Sequence, residues 1–280
     1  MNRKLGLALG AGGARGVAHI GFLKALEEEG IRPDFISGSS MGSIIGACYA
    51  KGMSADEMQQ TVQQLSAFDI VDLGLLTLSK LGLMRWTKVR KMMLSLLQDC
   101  DFSDLKIPFC CVSVDLISGT LKTFREGNVT DAILASSSMP TVFRPVEKDG
   151  MLLVDGGVLC RVPVKQVREM GADVVVAVDV LGKCGSVEKV PNVLSLITRV
   201  YDIMDYERTR DHCRRKSERA DLWLEPDMGQ ISQYKMKYHP TAYESGYRLG
   251  KENAENIKAL MRGEKLPRRL KKGAKAERSE

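Results

Sequence analysis

The chain has 280 residues, of which 44% are hydrophobic and 27% are charged, a balance that excludes disordered, collagen-like and disulfide-scaffold chains. The net charge is +6, but residues 262–280 carry eight basic residues and three glutamates, so the remainder is nearly neutral. No stretch approaches the roughly 18 uninterrupted apolar residues of a membrane span. Seven scattered cysteines without a C-x-x-C pair indicate reduced thiols and no metal site. We expect a cytoplasmic protein that can associate peripherally with the inner membrane face.

The first part of the chain alternates strand-like and helix-like segments. Residues 4–9 predict a buried strand that enters the stretch GAGGARG, and residues 17–29 predict a helix that ends at Gly30. A second short strand over 34–38 leads into GSSMG, after which the small and apolar residues SIIGACYA predict another helix. The order strand, helix, strand, helix indicates a parallel sheet.

The rest of the chain continues this alternation without an internal repeat. The apolar, glycine-broken segment 69–85 fits a lid or lipid-contacting flap, and it fits ordinary core equally well. We predict an α/β fold, a three-layer sandwich with a mostly parallel central sheet, as one domain over 1–262 with a basic, disordered tail over 263–280. Further helices are predicted over 55–66, 87–99, 129–137, about 191–219 and 243–262, and further strands over 107–116, 121–124, 151–155, 173–181 and 222–225.

The stretch GAGGARG is compatible with more than one kind of site. A dinucleotide site needs an acid at the end of the second strand, but Asp34 lies at its beginning. A phosphate-binding loop needs a Gly-Lys-Ser/Thr sequence that does not follow here. We therefore expect no cofactor. Successive glycines can instead let backbone N–H groups converge as an oxyanion hole, assisted by the positive end of the following helix.

The pentapeptide GSSMG, residues 38–42, fits a nucleophile elbow. In such an elbow a strained turn from strand to helix exposes a serine, here Ser40, while Gly38 and Gly42 relieve crowding around it. An isolated G-x-S-x-G fits an ordinary turn of small residues as well. Both GAGGARG and GSSMG follow predicted parallel strands, so they should face each other at one edge of the sheet. This placement favours the elbow.

Two residues are candidates for the base that activates the serine. His239, next to a proline, would complete a Ser-Asp-His triad, whereas the other two histidines have no setting that fits. Asp155 ends a predicted strand and precedes two glycines, and partial burial there would raise its pKa toward a value suited to proton transfer. Asp-Gly is also common in ordinary turns.

Four ordered motifs resemble those of the patatin-like phospholipase family. They are a glycine-rich loop with G-A-R-G, then G-x-S-x-G, then A-S-x-x-x-P, then D-G-G, and together they are far more specific than any one alone. The resemblance runs from about Lys4 to Leu181, and its matching positions are Gly10, Gly12, Gly13, Arg15, Gly16, His19, Gly21, Gly38, Ser40, Gly42, Ala135, Ser136, Pro140, Phe143, Pro145, Asp155, Gly156 and Gly157.

The resemblance implies a catalytic Ser-Asp dyad without a histidine. Ser40 would be the nucleophile and Asp155 the base. The implied reaction is hydrolysis of a lipid ester, with a phospholipid or lysophospholipid as substrate and with neither cofactor nor metal.

The resemblance also implies an oxyanion hole formed by the backbone N–H groups of Gly12, Gly13 and Ala14. One departure affects this assignment. A strict G-x-G-x-x-G that ends at Gly16 would begin at Ala11, so the donor positions are open to a shift of one residue.

A second hypothesis is a membrane-associated regulatory or lipid-binding protein with little turnover. The segment 69–85 and the tail 263–280 would serve such a protein equally well, but the presence of both Ser40 and Asp155 favours the hydrolase. The tail predicts either a solvated terminus or transient contact with an anionic membrane surface. No nucleic-acid motif accompanies it, so we expect no nucleic-acid partner.

Overall fold

An eight-stranded mixed sheet forms the centre of the fold. A computed structural model describes the chain over residues 3–64, 86–140, 142–187, 189–212, 219–229 and 239–267. The strands are β1 (Leu5–Leu9), β2 (Phe35–Ser39), β3 (Phe109–Asp115), β4 (Thr120–Phe124), β5 (Val146–Lys148), β6 (Met151–Asp155), β7 (Val174–Val178) and β8 (Leu222–Leu224). Their order in the sheet is β5-β6-β3-β2-β1-β7-β8, and β4 also pairs with β3.

The centre of the sheet is parallel and one end is antiparallel. Strands β3, β2, β1, β7 and β8 run parallel to one another. Strands β4 and β6 run antiparallel to β3, and β5 runs antiparallel to β6. The α/β sandwich prediction is confirmed. The pairing of β5 with β6 was not predicted, because the short β5 sequence VEK has no apolar run.

Helices cover both faces of this sheet. The helix over Met41–Lys51 ends where Gly52 adopts a left-handed φ of 110°, and the helix over Val129–Ser136 begins after Asn128, whose side chain accepts the N–H of Asp131. The helix over Val164–Glu169 had no counterpart in the sequence-based prediction. The α-helices are α1 (Ala18–Glu28), α2 (Met41–Lys51), α3 (Ala55–Gln64), α4 (Thr87–Leu97), α5 (Val129–Ser136), α6 (Val164–Glu169), α7 (Val193–His212) and α8 (His239–Met261).

Alternate residues of the central strands face two separate cores. Leu5, Leu7 and Leu9 of β1 belong to the larger core, which also includes residues of α1, α2, α4, α5 and α8. Ala8 of the same strand belongs to a smaller core with Val167 of α6. Because side chains alternate along a strand, β1 is buried on both faces, and this produces the three layers.

Two predicted segments fall wholly or largely outside the described residues. The segment 69–85 lies outside them entirely, and of the tail 263–280 only the first five residues are described. The boundary of the domain at residue 262 therefore stays a prediction. In the described part of the chain, no helix is both long and apolar enough to cross a bilayer.

Candidate active site

Two strands meet end to end along one edge of β3. Ser39, the last residue of β2, pairs with Val112, and Asp155, the last residue of β6, pairs with the next residue, Ser113. Strand β4 occupies the opposite edge of β3 at both positions. Strand β6 therefore continues the line of β2 in the reverse direction, and the ends of the two strands bring Ser40 and Asp155 together.

Ser40 lies in a sharp turn between β2 and α2. Its backbone has φ 53° and ψ −126°, a conformation that is strained for a residue other than glycine. Its N–H donates to Oγ of Ser136 at 3.1 Å, and its carbonyl oxygen accepts from Oγ of Ser43 at 2.6 Å. A Cβ on Gly38 would lie 2.4 Å from Cα of Ser43, so the turn requires glycine there. This is the strand-turn-helix arrangement that an elbow needs.

The Ser40 hydroxyl donates directly to the Asp155 carboxylate. The distance from Oγ to Oδ2 is 2.6 Å, and Oδ1 accepts the N–H of Gly157 at 2.7 Å. Asp155 is only 4% exposed. Burial raises its pKa from 3.8 to about 6, the two hydrogen bonds oppose this shift, and the charge of Asp205 adds to it. A carboxylate with such a pKa is ionised at neutral pH and accepts a proton more readily than an ordinary one.

The turn that follows Asp155 depends on two glycines. A Cβ on Gly156 would lie 2.3 Å from the carbonyl oxygen of Val112, which is a fixed backbone atom. A Cβ on Gly157 would lie 3.0 Å from Oδ1 of Asp155 itself. Side chains at these positions would push the carboxylate away from the serine, which gives the D-G-G motif its physical reason.

The glycine-rich loop packs on the turn that contains Ser40. A Cβ on Gly42 would lie 2.3 Å from the carbonyl oxygen of Leu9, and a Cβ on Gly16 would lie 2.2 Å from Cγ of Met41. The loop and the elbow therefore approach more closely than any side chain at these two positions would permit.

The loop leaves β1 through Gly12 and turns sharply at Gly13. Gly13 has a left-handed φ of 50°, and a 3₁₀ helix over Gly13–Val17 begins there. Of the three predicted oxyanion donors, Gly12 directly precedes this short helix, and Gly13 and Ala14 are its first two residues.

Three hydrogen bonds anchor the loop to its surroundings. The N–H of Gly10 donates to the carbonyl oxygen of Val178 at 3.0 Å, and Nε2 of His19 donates to the carbonyl oxygen of Gly10 at 2.9 Å. Arg15 donates to the carbonyl oxygen of Leu181 at 2.9 Å. Burial lowers the pKa of His19 to about 4, so the ring stays neutral and anchors the loop.

Replacing Gly42 with alanine should lower the esterase activity predicted from the sequence by about 100-fold, because the added methyl group would force the elbow away from the glycine-rich loop. The measurement is kcat/KM on a soluble short-chain ester, with circular dichroism to check folding. Gly185→Ala is the matched control, since nothing lies within 4 Å of a Cβ at that position. Equal activities of the two folded variants would contradict the proposed importance of this contact.

Helix α7 contacts the turn after Asp155 through hydrogen bonds from Arg208. The sequence did not reveal this contact. Arg208 donates to the carbonyl oxygens of Gly157 and Val158 and, at 2.7 Å, to Oδ1 of Asp205. The hydroxyl of Tyr201 lies 3.3 Å from the point that a Cβ on Gly157 would occupy. The long charged helix is thus a support of the site as well as a surface element.

A buried arginine extends this support to the end of β7. Arg161 is 3% exposed, and it donates to Asp179 at 2.9 Å, to Asp205 at 3.3 Å and to the carbonyl oxygen of Gly182 at 2.7 Å. Asp179 directly follows the apolar run of β7, so its place at the carboxyl edge was available from the sequence. No local pattern pointed to Arg161.

The histidine alternative stays a prediction. His239 is the first residue of α8, but its side chain, like that of His212, lies outside the described part. Among the described residues, no group of three His, Cys, Asp or Glu side chains could hold a metal ion. The titratable group that the structure places against the hydroxyl of Ser40 is Asp155.

The sequence is similar to a known protein family and to several known proteins. The family model described as Patatin-like phospholipase matches residues 7–168. An uncharacterized NTE family protein of Mycobacterium tuberculosis is 37% identical over 179 residues, which is 64% of this chain and 49% of that protein. The human patatin-like phospholipase domain-containing protein 6 is 35% identical over 181 residues, 63% of this chain and 13% of its own length. The chain therefore spans about half the length of the mycobacterial relative.

A solved structure supports the fold independently. The structure of VipD from Legionella pneumophila superposes with a TM-score of 0.53 at 14% identity, covering 91% of this chain and 67% of that one. At this identity the likeness concerns the fold alone.

Proposed function

Because the chain belongs to the patatin-like phospholipase family, we propose that it is a serine-dependent hydrolase of lipid esters that uses Ser40 as nucleophile and Asp155 as base. One observation carries the proposal: the hydroxyl of Ser40 donates at 2.6 Å to a buried carboxylate whose pKa is raised to about 6. A nucleophile in direct contact with a base of suitable pKa is the requirement for covalent catalysis by a hydroxyl.

The reaction proceeds in two steps. Asp155 takes the proton of Ser40 as Oγ forms a bond to the ester carbonyl carbon, and the carbonyl oxygen becomes negatively charged. The C–O bond to the alcohol then breaks, and the alcohol leaves with the proton from Asp155. In the second step Asp155 takes a proton from a water molecule as the oxygen of that water forms a bond to the carbonyl carbon of the acyl-serine. The bond between this carbon and Oγ of Ser40 then breaks, Asp155 returns the proton to Oγ, and the fatty acid leaves.

The glycine-rich loop supplies the proposed oxyanion hole. The backbone N–H groups of Gly12, Gly13 and Ala14 lie at the N-terminal end of a short helix next to the elbow, and positively polarised donors at such an end stabilise a developing negative charge. The N–H of Ser40 itself is engaged by Ser136, so it is not among the proposed donors.

The proposed substrate is a phospholipid or lysophospholipid. A similar protein named lysophospholipase nte1, from Emericella nidulans, is 26% identical over 282 residues, covering 92% of this chain and 18% of its own length. We keep the transient contact of the tail 263–280 with an anionic membrane surface as a prediction.

A fluorophosphonate probe tests the function on the purified protein. The folded wild type should form a covalent adduct with one probe per chain, and labelling should block, in proportion, the release of nitrophenol from a monomeric short-chain ester and of fatty acid from lysophospholipid. Folded protein that neither takes up the probe nor releases acyl groups would contradict the proposal and favour a lipid-binding protein with little turnover.

A further inference from the structure

Helix α7 carries a cluster of exposed apolar side chains. Among the described residues, ten large hydrophobic side chains are exposed, and eight of them lie between Val187 and Met204. Such a concentration differs from the single exposed apolar residues that most proteins scatter over their surface. Six of the eight, which we call the apolar stripe, are between 45% and 71% exposed: Val193, Leu196, Ile197, Val200, Ile203 and Met204.

The spacing of the apolar stripe places it on one side of α7. Its members are separated by three or four residues, so they follow a single face of the helix. This face adjoins the one that holds the catalytic turn, since Ile197 and Met204 lie four residues before and three residues after Tyr201. Whatever covers the stripe is therefore held next to the turn that contains Asp155.

The composition of the stripe favours a lipid layer over a protein partner. Protein interfaces are enriched in aromatic residues, methionine and arginine. Five of the six stripe residues are valine, leucine or isoleucine, and only Met204 is of a type enriched at protein interfaces. Removal of such a surface from water is favourable in free energy, but the surface has no hydrogen-bonding group that would recognise a particular protein.

The charge of α7 indicates which lipid the stripe would contact. The helix has three arginines and four acidic residues, so it is not cationic as a whole. Helices that bind anionic lipids instead present a basic polar face. The stripe would thus enter a zwitterionic layer through apolar contact.

We propose that α7 docks the protein on a zwitterionic phospholipid surface by inserting its apolar stripe, and that this docking holds the catalytic turn at the lipid boundary. The inference rests on the proposed lipid-ester function, because docking would bring the proposed active site to substrate molecules that are packed in a lipid layer. The surface differs from the basic tail 263–280, which would respond to anionic lipid.

Flotation with phosphatidylcholine vesicles tests the docking without turnover. The triple variant Leu196→Gln/Val200→Gln/Met204→Gln should reduce the vesicle-bound fraction by about tenfold or more, at 0.1 M and at 1 M salt alike. The milder double variant Val193→Gln/Met204→Gln, at the two most exposed positions, should show a smaller loss in the same direction. Leu116→Gln/Ile117→Gln is the matched control, because those side chains are 49% and 71% exposed on another part of the surface. It should float like the wild type.

The activity arm separates docking from catalysis. In the triple variant, the rate on phosphatidylcholine vesicles should fall at least tenfold more than the rate on a monomeric short-chain ester. Unchanged flotation of both stripe variants would overturn the docking proposal while leaving the catalytic one intact. A wild type that floats but hydrolyses neither substrate would count against the proposed function alone. Light scattering that shows a wild-type dimer and a monomeric variant, with flotation unchanged, would assign the stripe to a second copy and overturn the lipid proposal.

Discussion

Replacing Ser40 with alanine should lower kcat on a lipid ester by about 10⁴-fold or more, because it removes the hydroxyl that donates to Asp155 and attacks the carbonyl in the proposed mechanism. Removal of one member of a catalytic unit costs nearly as much as removal of the whole unit, and what remains comes from binding and the oxyanion hole. The variant should also lose all labelling by the fluorophosphonate probe.

The variant at Ser40 is informative because alanine should leave the fold intact. The backbone at this position is held by contacts from Ser136 and Ser43 that do not involve the Ser40 side chain. Ser118→Ala, in the exposed turn between β3 and β4, is the control and should keep both activity and labelling. Labelling that persists in a folded S40A protein would place the nucleophile elsewhere.

Replacing Asp155 with asparagine should reduce kcat by about 10³-fold, the contribution expected of a well-placed general base. Asparagine keeps the size of the side chain but cannot take the proton of Ser40. Rates on a monomeric ester measure this loss without the complication of vesicle binding. His239→Ala separates the dyad from the triad hypothesis, since it should stay within a few fold of the wild type. A loss of activity in H239A comparable to that in D155N would overturn the dyad.

The pH dependence of the wild type provides a second measure of Asp155. The base must be ionised, and burial raises its pKa to about 6. We therefore expect kcat/KM to be constant above that value and to fall about tenfold per pH unit below it. The groups around the carboxylate are Ser40, Gly157, Asp205 and Tyr201, and the wild-type profile reports their combined effect. An inflection near 4 would show that the carboxylate is solvated during turnover.

The same raised pKa predicts an effect on stability with a definite sign. A buried carboxyl that binds its proton more tightly in the folded state destabilises the fold once it ionises. This cost is absent below pH 3.8 and complete above about pH 6. Folded D155N should therefore melt at a higher temperature than the wild type at pH 8, and the difference should shrink as the pH approaches 4.

Much of the fold could be predicted because its central strands are continuously apolar. The buried runs of β1, β3 and β7 and the glycines at helix ends are local signals, and the structure has strands within three residues of the predicted ends. β5 and α6 escaped prediction since three and six residues are too few to show a period. The motifs could be recognised as a set because close backbone contacts require glycine, and glycines at fixed spacings can be read directly from a sequence.

The sequence by itself determined the order of the longer elements, the glycine positions and the identity of the candidate nucleophile and base, because each depends on local backbone geometry. Only the tertiary structure decided how Ser40 and Asp155 come together, since the end-to-end placement of β2 and β6 along β3 depends on register between strands far apart in the chain. It also decided what α7 does. Tyr201, Asp205 and Arg208 support the turn after Asp155, while the adjoining apolar stripe stays exposed. Which helix face becomes buried depends on how the folded chain packs, and helical spacing alone does not determine it.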